Sequence, residues 1–495
     1  MSDRHVVIVG GGLAGLSAGC YALASGYRAT IVEHNLALGG VCTAWPRGPY
    51  MVDGCIHWLT GGPFMRLYEE LGIVPRVKLR TLEEWATWRD ARDGSVVRIT
   101  SDLSRLARDL RALGPEDGAE IEGLMTAADR FGGFAPPGLE RPPEVTSFRE
   151  QMHALWEMRG AIGTLVNYRK PVTLWTRDHL KSEPLRRFFQ SLMADAPMLM
   201  VVMVLGYLKR GWLSRPVGGT AAFRDALVER YERLGGRTML TATVDEVLVE
   251  GGRARGVRLD EGTMLDADAV ISTSSMPETV LRLLGGRFDA ELARERLQKW
   301  KLFQPIVLAS FGVDVPLREV PGMLLVDRLP PFTIGGAEST HLYLRVCNDD
   351  PSYAPPGHAV VQALLPTDYA WWATRGPRYE KAKEDVVGVA IERIEHAIPG
   401  LGDHVQMTDL ATPLTYWRQT RSWRGAYEGW MPSSESLFGH VKKKLAGLEG
   451  FYMAGQWVEP GGGVPTAVMS GRQAVQILCA EEGRAFESHP GGKAS

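Results

Sequence analysis

The sequence predicts an α/β fold in which a Rossmann-like parallel sheet is combined with an α+β lobe. Three observations lead to this prediction. The chain opens with an apolar run at residues 6–9, a glycine-rich turn at 10–15 that enters a helical stretch, and a second apolar run at 29–32. Strand-like runs return near the middle of the chain, and a second glycine-rich turn follows an apolar run near its end. Strands that alternate with helices favour a parallel sheet covered by helices.

The opening turn has the spacing of a dinucleotide-binding motif, G-x-G-x-x-G, at Gly10, Gly12 and Gly15. The first glycine permits the tight turn out of the strand, the second lets the backbone approach a pyrophosphate, and the third lets helix and strand pack closely. Glu33, 18 residues after Gly15, is placed to accept hydrogen bonds from a ribose hydroxyl. Because strand, helix, second strand and acid occur in this order, the sequence predicts a dinucleotide site.

The composition is that of an ordinary globular protein and narrows the function classes. With 495 residues, two or three lobes are expected, and apolar and charged residues make up 45% and 23% of the chain. The formal charge of −2 gives no reason to expect a nucleic-acid partner. Five cysteines without CxxC or zinc spacing predict reduced thiols, a cytoplasmic protein and no metal site. The first strand begins too early to leave room for a signal peptide.

Two insertions separate the pieces of the predicted nucleotide-binding domain. We expect a discontinuous domain formed by residues 1–75, 211–275 and 411–485, a substrate-binding lobe formed by 76–210 and 276–410, and a flexible tail at 486–495. The 76–210 stretch is largely helical in pattern, with loops at its Pro136-Pro137 and Pro142-Pro143 pairs. The remaining predicted elements are strands at 237–242, 244–250, 255–259, 269–272, 306–313 and 341–346 and helices at 221–234, 380–397 and 470–480.

Further short motifs extend along the chain. They are Glu33 followed by Gly39-Gly40, Thr43, Tyr50, Asp53-Gly54 and His57; Pro216-x-Gly218-Gly219; Val244-x-x-Val247; Gly425-Ala426-Tyr427-x-Gly429; and Ala454-Gly455, Gly461-x-Gly463 and Ser470-Gly471. In this combination the chain resembles FAD-dependent flavoproteins of the carotenoid desaturase group, which includes phytoene desaturases, carotene isomerases, retinol saturases and, more distantly, flavin amine oxidases. The landmarks run from residue 6 to about residue 480, although the inserted lobe matches poorly.

The resemblance implies a glutathione-reductase-type FAD-binding fold and one non-covalently bound FAD. By this resemblance Gly10, Gly12 and Gly15 bind the pyrophosphate, Glu33 binds the adenosine ribose, and Val244 presents its backbone to the adenine. The other positions that the resemblance assigns to the cofactor are Leu13, Ala14, His34, Gly39, Gly40, Val41, Gly455, Gly463, Val464 and Ala467. A helix expected to begin at Ser470-Gly471 would turn its N–H groups toward the flavin.

One departure from the family pattern concerns the phosphates. Many relatives carry an arginine directly after the Gly-Gly pair, where this chain has Val41, and Arg47 is the candidate to replace its charge. The candidate catalytic residues are Glu459 inside the closing glycine turn, His57 where relatives place residues near the flavin ring, and Tyr427 on the expected substrate side. Residues of these types at such positions are more often packing or loop residues than catalytic ones.

The inserted lobe indicates an apolar ligand. Met193, Met198, Met200 and Met203, with Trp371-Trp372, suit a tunnel for an apolar chain, although core packing would account for any single one of them. The longest apolar run, residues 198–208, is shorter than the ~20 residues of a membrane span. We expect it to line the tunnel mouth or to rest on a membrane surface.

These observations predict an oxidoreductase that transfers a hydride between flavin N5 and an apolar, isoprenoid or polyene substrate. Desaturation, saturation and isomerisation stay open, as do a quinone or oxygen as the electron acceptor, peripheral membrane contact and the oligomeric state. Two alternatives are a flavin amine oxidase, which uses an aromatic cage and a lysine near the flavin, and a non-catalytic prenyl-binding escort protein, which would lack the closing glycine motif.

Overall fold

A computed structural model of the protein describes residues 4–135, 138–433, 436 and 441–489, apart from the side chains of residues 154, 155, 157 and 158. The loop expected at Pro136-Pro137 and the end of the expected tail, residues 490–495, lie outside the described residues.

Within these residues the strands share a short length and are, in chain order, β1 (His5–Val9), β2 (Arg28–Val32), β3 (Ala44–Arg47), β4 (Tyr50–Asp53), β5 (Leu59–Thr60), β6 (Leu79–Thr81), β7 (Glu84–Asp90), β8 (Val96–Thr100), β9 (Leu213–Pro216), β10 (Arg237–Met239), β11 (Val244–Glu250), β12 (Arg253–Leu259), β13 (Met264–Asp266), β14 (Ala269–Ser272), β15 (Ile306–Val313), β16 (Met323–Asp327), β17 (Phe332–Ile334), β18 (Ala337–Ser339), β19 (Leu342–Cys347), β20 (Ala359–Pro366), β21 (Val405–Ala411) and β22 (Phe451–Met453).

The α-helices of the same residues are α1 (Leu13–Ala24), α2 (Met65–Glu70), α3 (Leu103–Leu113), α4 (Gly118–Phe131), α5 (Phe148–Glu157), α6 (Ile162–Asn167), α7 (Val172–His179), α8 (Glu183–Met193), α9 (Met198–Lys209), α10 (Gly219–Arg233), α11 (Ala290–Lys299), α12 (Tyr369–Ala373), α13 (Tyr379–Ala397), α14 (Pro413–Thr420) and α15 (Gly463–Glu481). A π-helix spans Glu278–Leu283.

A five-stranded parallel sheet forms the centre of the nucleotide-binding half. Its strand order is β10-β2-β1-β14-β22, and every neighbouring pair is parallel. The central strand β1 is apolar and its residues 6–8 are fully buried, because one face of the sheet packs against α1, α10 and α15 and the other against β11, β12 and the π-helix. The strands come from three separated stretches of the chain, near residues 5–32, 237–272 and 451–453.

A seven-stranded sheet and a helical layer form the other half. The sheet has the order β21-β15-β20-β19-β16-β7-β8, in which only the β16–β7 pair is parallel. The apolar side chains of α13 pack on one face of this sheet. A second core joins β7 and β8 to helices between α3 and α9.

The structure differs from the sequence predictions at three points. The stretch at 76–210 is largely helical, as predicted, but its strands β7 and β8 join the large sheet. The last helix begins at Gly463 rather than at Ser470. The apolar run of α9 is buried inside the helical layer, with Met198 and Val202 fully buried, so it does not rest on a membrane surface.

No helix in the described ranges combines the length and the apolar character needed to cross a bilayer. The same ranges contain no group of three or more His, Cys, Asp or Glu side chains placed to hold a metal ion. All five cysteines are free thiols.

Candidate functional site

A cavity of about 960 Å³ lies between the parallel sheet and the helical layer. Its wall includes the opening glycine turn at Gly10 and Gly12 and the closing glycine turn at Gly455 and Gly463. The two turns are remote in sequence, and they meet at one end of this cavity. The other end is lined by side chains of the helical layer and the seven-stranded sheet.

The packing of α1 against α15 brings the two turns together. The Ser17 hydroxyl donates a hydrogen bond to the Val468 carbonyl oxygen at 2.7 Å. A Cβ atom on Gly471 would lie 2.4 Å from the Ala14 carbonyl oxygen. A residue larger than glycine at 471 would therefore push the helices apart, and this close approach fixes the distance between the two turns.

The opening turn depends on its glycines. Gly10 has a φ of +99°, and a Cβ on Gly15 would lie 2.0 Å from the Gly10 carbonyl oxygen. In contrast, a Cβ on Gly12 would meet only the Cα atom of Gly40, at 3.9 Å, so the space over this residue is open. Gly12 caps α1 without a side-chain hydrogen bond, which leaves the first N–H groups of the helix free. This open, donor-rich helix start fits a pyrophosphate.

Glu33 is held by donors from its own half of the cavity. One carboxylate oxygen accepts from the Gly11 N–H at 2.7 Å, and the other accepts from the Asn35 N–H at 2.9 Å and its side-chain amide at 2.8 Å. Burial raises the pKa of Glu33, but hydrogen bonds from His34, Gly11 and Asn35 outweigh burial and hold its pKa below the usual value. The ionised carboxylate lines the cavity with lone pairs to spare.

The second glycine pair runs beside the opening turn. Gly39 donates its N–H to the Gly11 carbonyl at 2.8 Å, and Gly39, Gly40 and Val41 line the cavity. Val244 at the start of β11 also lines it, and its carbonyl oxygen accepts a hydrogen bond from the Arg282 guanidinium at 3.0 Å. The remaining predicted cofactor positions that line this cavity are Leu13, Ala14, His34, Val464 and Ala467.

Arg47, the predicted replacement for the missing family arginine, lies away from the cavity. The Arg47 guanidinium is half exposed, pairs with Asp409 at 2.6 Å and does not line the cavity. Arg421, at the end of α14, does line it. Its guanidinium stacks over the Trp417 ring with 4.8 Å to the centroid, and no acidic side chain of the described residues pairs with it. The backbone of Arg421 has a φ of +52°, a strained value for a residue with a side chain.

The closing turn differs in detail from the sequence prediction. Because α15 begins at Gly463, Ser470 lies in its middle and offers no free helix N–H group. Its hydroxyl instead accepts the Gly455 N–H at 2.7 Å and so fixes the end of β22. Gly462 has a φ of +59°, and a Cβ there would lie 2.6 Å from the Glu428 carbonyl oxygen.

The three predicted catalytic residues all line the cavity, in different states. Glu459 is paired at 2.5 Å with the ammonium group of Lys443, whose side chain is fully buried. Burial, and then the positive charge of Arg345, lower the pKa of His57 to about 3, so its imidazole is neutral near pH 7. Burial raises the pKa of the Tyr427 phenol well above its usual value.

A buried ion pair supports the loop that carries His57. Asp53 ends β4 and pairs with Arg345 of β19 at 3.3 Å, and both side chains are at most 2% exposed. The Asp53 carboxylate also accepts from the Thr220 N–H at 2.9 Å and from the Tyr353 hydroxyl at 2.9 Å. Burial raises the pKa of Asp53, but Arg345 and Thr220 outweigh it and lower the pKa to about 2. The pair therefore ties the nucleotide half to the seven-stranded sheet next to the cavity.

The far half of the cavity is apolar. Of the residues predicted to line a tunnel, Met193, Met200 and Met203 do so, whereas Met198 and the Trp371-Trp372 pair do not. Trp372 is instead buried under α13. The other apolar side chains that line this half include Trp58, Phe64, Trp85, Phe131, Phe134, Leu165, Leu192, Leu199, Met323, Leu325 and Tyr343.

The sequence motifs did not single out Glu428, an acidic residue of the cavity wall. It occupies the unassigned position of the motif Gly425-Ala426-Tyr427-x-Gly429. The signal that could have found it is the placement of a carboxylic acid directly after a predicted substrate-side tyrosine.

The fold and the site define a flavin-dependent oxidoreductase. The chain matches the family described as flavin-containing amine oxidoreductases over residues 13–479, and it belongs to that family. The resemblance that the motifs predicted is confirmed, and FAD is the cofactor of this enzyme.

Similar proteins narrow the class further. The chain is 26% identical to an all-trans-zeta-carotene desaturase of Myxococcus xanthus, over 98% of this chain and 94% of that protein. It is 26% identical to a neurosporene-forming phytoene desaturase of Rhodobacter capsulatus, over 96% of this chain and 94% of that protein. A solved oxidoreductase from Methanosarcina mazei shares the fold, with a TM-score of 0.64 and 19% identity over 97% of this chain and 100% of that chain. The protein is thus a flavin-containing oxidoreductase of the carotenoid desaturase and isomerase type.

Proposed function

We propose that this enzyme transfers a hydride between flavin N5 and a carbon of an apolar polyene or other isoprenoid substrate. The continuity of the cavity carries the proposal, because the glycine turns of one half and the methionines and aromatic rings of the other line one space. A long apolar molecule in the lobe half would reach the flavin half without passing through solvent. The desaturase names of the two relatives support the same substrate class and favour desaturation among the related reactions.

Bound FAD would supply the two-electron acceptor or donor, and the chain would hold and orient it. In our proposal Gly10, Gly12 and Gly15 admit the pyrophosphate, the free N–H groups of α1 bind it, Glu33 accepts from the ribose, and Arg421 supplies the positive charge that Val41 does not. The remaining contacts would come from Leu13, Ala14, His34, Gly39, Gly40, Val41, Val244, Gly455, Gly463, Val464 and Ala467.

The predicted catalytic residues take modest roles in this proposal. His57 would present a neutral imidazole to the cavity, which suits a site that binds an apolar molecule and excludes water. Tyr427 would form part of the substrate wall with its phenol protonated. Glu459, neutralised by Lys443, would hold the closing glycine turn in place.

We further propose the domain division expected from the sequence. Residues 1–75, 211–275 and 411–485 would form the FAD-binding domain of the glutathione-reductase type, and 76–210 with 276–410 the substrate lobe. The strand order of the parallel sheet, which draws on all three stretches, supports this division. Because the sequence holds one dinucleotide motif, electrons would pass to a quinone or to oxygen rather than to NAD(P) in a second domain.

The main alternative is amine oxidation, which the family name keeps open. An amine oxidase of this fold is expected to place a lysine close to the flavin. None of the described residues that line the cavity is a lysine. Lys443 pairs with Glu459 but does not itself line the cavity. Family membership likewise favours an enzyme over a non-catalytic prenyl-binding escort protein.

A peripheral membrane contact would deliver such a substrate. The exposed apolar side chains of α5 and α6 include Phe148, Trp156 and Ile162, which are 76%, 60% and 50% exposed. Leu165 in the same α6 lines the cavity, so this surface leads into the apolar half. We propose that this patch, and not the buried α9, contacts a lipid surface.

The test is anaerobic reduction of the purified holoprotein, followed at flavin wavelengths, with polyenes, retinoids and amines offered separately. The proposal predicts that a polyene or another isoprenoid bleaches the flavin and that amines do not. Bleaching by amines alone, with release of hydrogen peroxide on admission of air, would establish the alternative.

A further inference from the structure

Glu428 stands apart from the other acidic groups of the cavity. Its backbone is fixed where the closing glycine turn crosses it, since a Cβ on Gly462 would lie 2.8 Å from the Glu428 Cβ atom. The next residue, Gly429, accepts a hydrogen bond from the Phe303 N–H at 3.0 Å. The Glu428 side chain therefore starts from a fixed backbone position on the cavity wall, next to the closing glycine turn that is expected to bind the flavin.

The Glu428 carboxyl group has no partner in the described part of the chain. Each of the other acids that line the cavity has one. Their partners are the Gly11 N–H for Glu33, Lys301 for Asp195, Arg282 for Glu278 and Lys443 for Glu459. Glu428 is half-buried and lines the cavity, so a molecule bound there, rather than another side chain, is the group that its carboxyl can meet.

Phenols lie near Glu428, and no cation of the residues that the structure describes pairs with it. Tyr427 precedes it, and Tyr416 of α14 and Tyr343 of β19 face Tyr427. The neutral His57 and Glu459 line the same cavity, and Lys443 pairs with Glu459 from outside the cavity lining. Burial alone raises the pKa of Glu428 to about 7. The Glu428 carboxyl group can therefore carry or release a proton near neutral pH.

We propose that the Glu428 carboxylate is the proton acceptor of the dehydrogenation, taking the proton from the carbon next to the one that gives up the hydride. This proposal rests on the proposed function, because it presupposes a carbon substrate in the cavity. It assigns a catalytic role that the sequence motifs gave to Glu459, His57 or Tyr427.

The reaction balances with the groups named. One C–H bond of the substrate breaks, and its hydrogen leaves with the electron pair as a hydride, for which bound FAD would be the two-electron acceptor. The neighbouring C–H bond breaks and leaves its proton on the Glu428 carboxylate, while its electron pair forms the new C=C bond. The substrate loses two hydrogens and two electrons, and Glu428 becomes neutral until its proton passes to solvent. A base with a pKa near the working pH is the most effective for this step.

The experiment uses the holoprotein and three variants, Glu428→Gln, Glu428→Asp and, as a matched control, Glu384→Gln. Glu384 lies exposed on α13, away from the cavity. Infrared difference spectra are recorded between about pH 5 and about pH 9, and flavin reduction by a polyene is followed anaerobically in single turnover. Flavin content and thermal unfolding confirm that each variant is folded and loaded.

The proposal predicts a protonated-carboxyl band that disappears near pH 7 in the wild type and in E384Q but is absent from E428Q. It predicts that the rate of flavin reduction falls about 100-fold or more in E428Q, less in E428D and not in E384Q, with polyene affinity unchanged. A normal reduction rate in E428Q, or a carboxyl band that persists in it, would overturn the role of Glu428. If no isoprenoid reduces wild-type flavin, the proposed function fails, while the infrared result still reports on Glu428.

Discussion

At its nucleotide end the cavity is lined by backbone from glycine-rich turns, whereas at its other end it is lined by methionine, aromatic and aliphatic side chains. The first surface depends on conformations that only glycine adopts without strain, and on the free N–H groups of one helix start. The second depends on which side chains happen to face inward when helices pack on a sheet. A small change in sequence is therefore expected to disrupt the first surface and only to reshape the second.

The largest effect is expected at the Asp53–Arg345 ion pair, which ties the nucleotide half to the seven-stranded sheet. Replacing Asp53 by Asn leaves Arg345 buried without its counter-charge and should lower the free energy of unfolding by about 3–5 kcal/mol. Chemical denaturation, with flavin fluorescence as a second probe, measures this. Unfolding that matches the wild type would show that the pair does not hold the two halves together.

The same carboxylate predicts how stability depends on pH. The pKa of Asp53 in the folded protein, about 2, lies below that of an unfolded chain, about 3.9. Folding therefore favours the ionised form, and the contribution, about 2–3 kcal/mol, is present above about pH 4 and is lost as the pH falls toward 2. The D53N variant should lack this part of the acid dependence, and an unchanged acid profile would contradict the assignment.

The next largest effect is expected from a substitution in the opening glycine turn at the nucleotide end of the cavity. Gly15→Ala places a Cβ where 2.0 Å separates it from the Gly10 carbonyl oxygen, so α1 must shift away from the turn. We expect FAD affinity to fall by about 30–100-fold, equivalent to about 2–3 kcal/mol. Gly388→Ala is the matched control, because Gly388 lies in α13 with open space around it and alanine there should leave flavin affinity unchanged and favour the helix.

These glycines also show how much could be predicted from the sequence. Gly10, Gly12 and Gly15 act through local backbone geometry, so their spacing alone predicts the turn and the helix. Glu428 and Arg421 act through positions that only tertiary packing defines, and the prediction for Arg47 is wrong because its partner Asp409 lies far away in sequence. Similarly, α15 begins at Gly463 rather than at Ser470, because residues 464–469 join the same helix and the glycine at 471 is an interior contact with α1 rather than a helix start.

A smaller effect is expected from removing Arg421, the cation that we propose binds the FAD phosphates. Arg421→Ala should weaken FAD binding about tenfold, with a weaker salt dependence than the wild type, because one charge near the phosphates is lost. Arg47→Ala, which removes an exposed arginine paired with Asp409, is the control and should bind FAD normally. Equal losses in both variants would mean that neither arginine replaces the family residue.

The smallest effect is expected at the outer surface of the apolar end. Replacing Phe148 and Trp156 by Ala together removes the two most exposed apolar side chains among those described in α5, and liposome flotation should show several-fold weaker association. Flavin content and thermal unfolding should not change, since both side chains face outward. Undiminished flotation would remove α5 as the membrane contact.

The most direct test of the account is a structure of the holoprotein with FAD and a long polyene or a non-reactive analogue. The account predicts electron density for both molecules within the one cavity, the flavin against the turn at 461–463 and the apolar chain against Met200 and Met203. Density for the polyene on another surface, or for the dinucleotide away from Gly10 and Gly12, would contradict it.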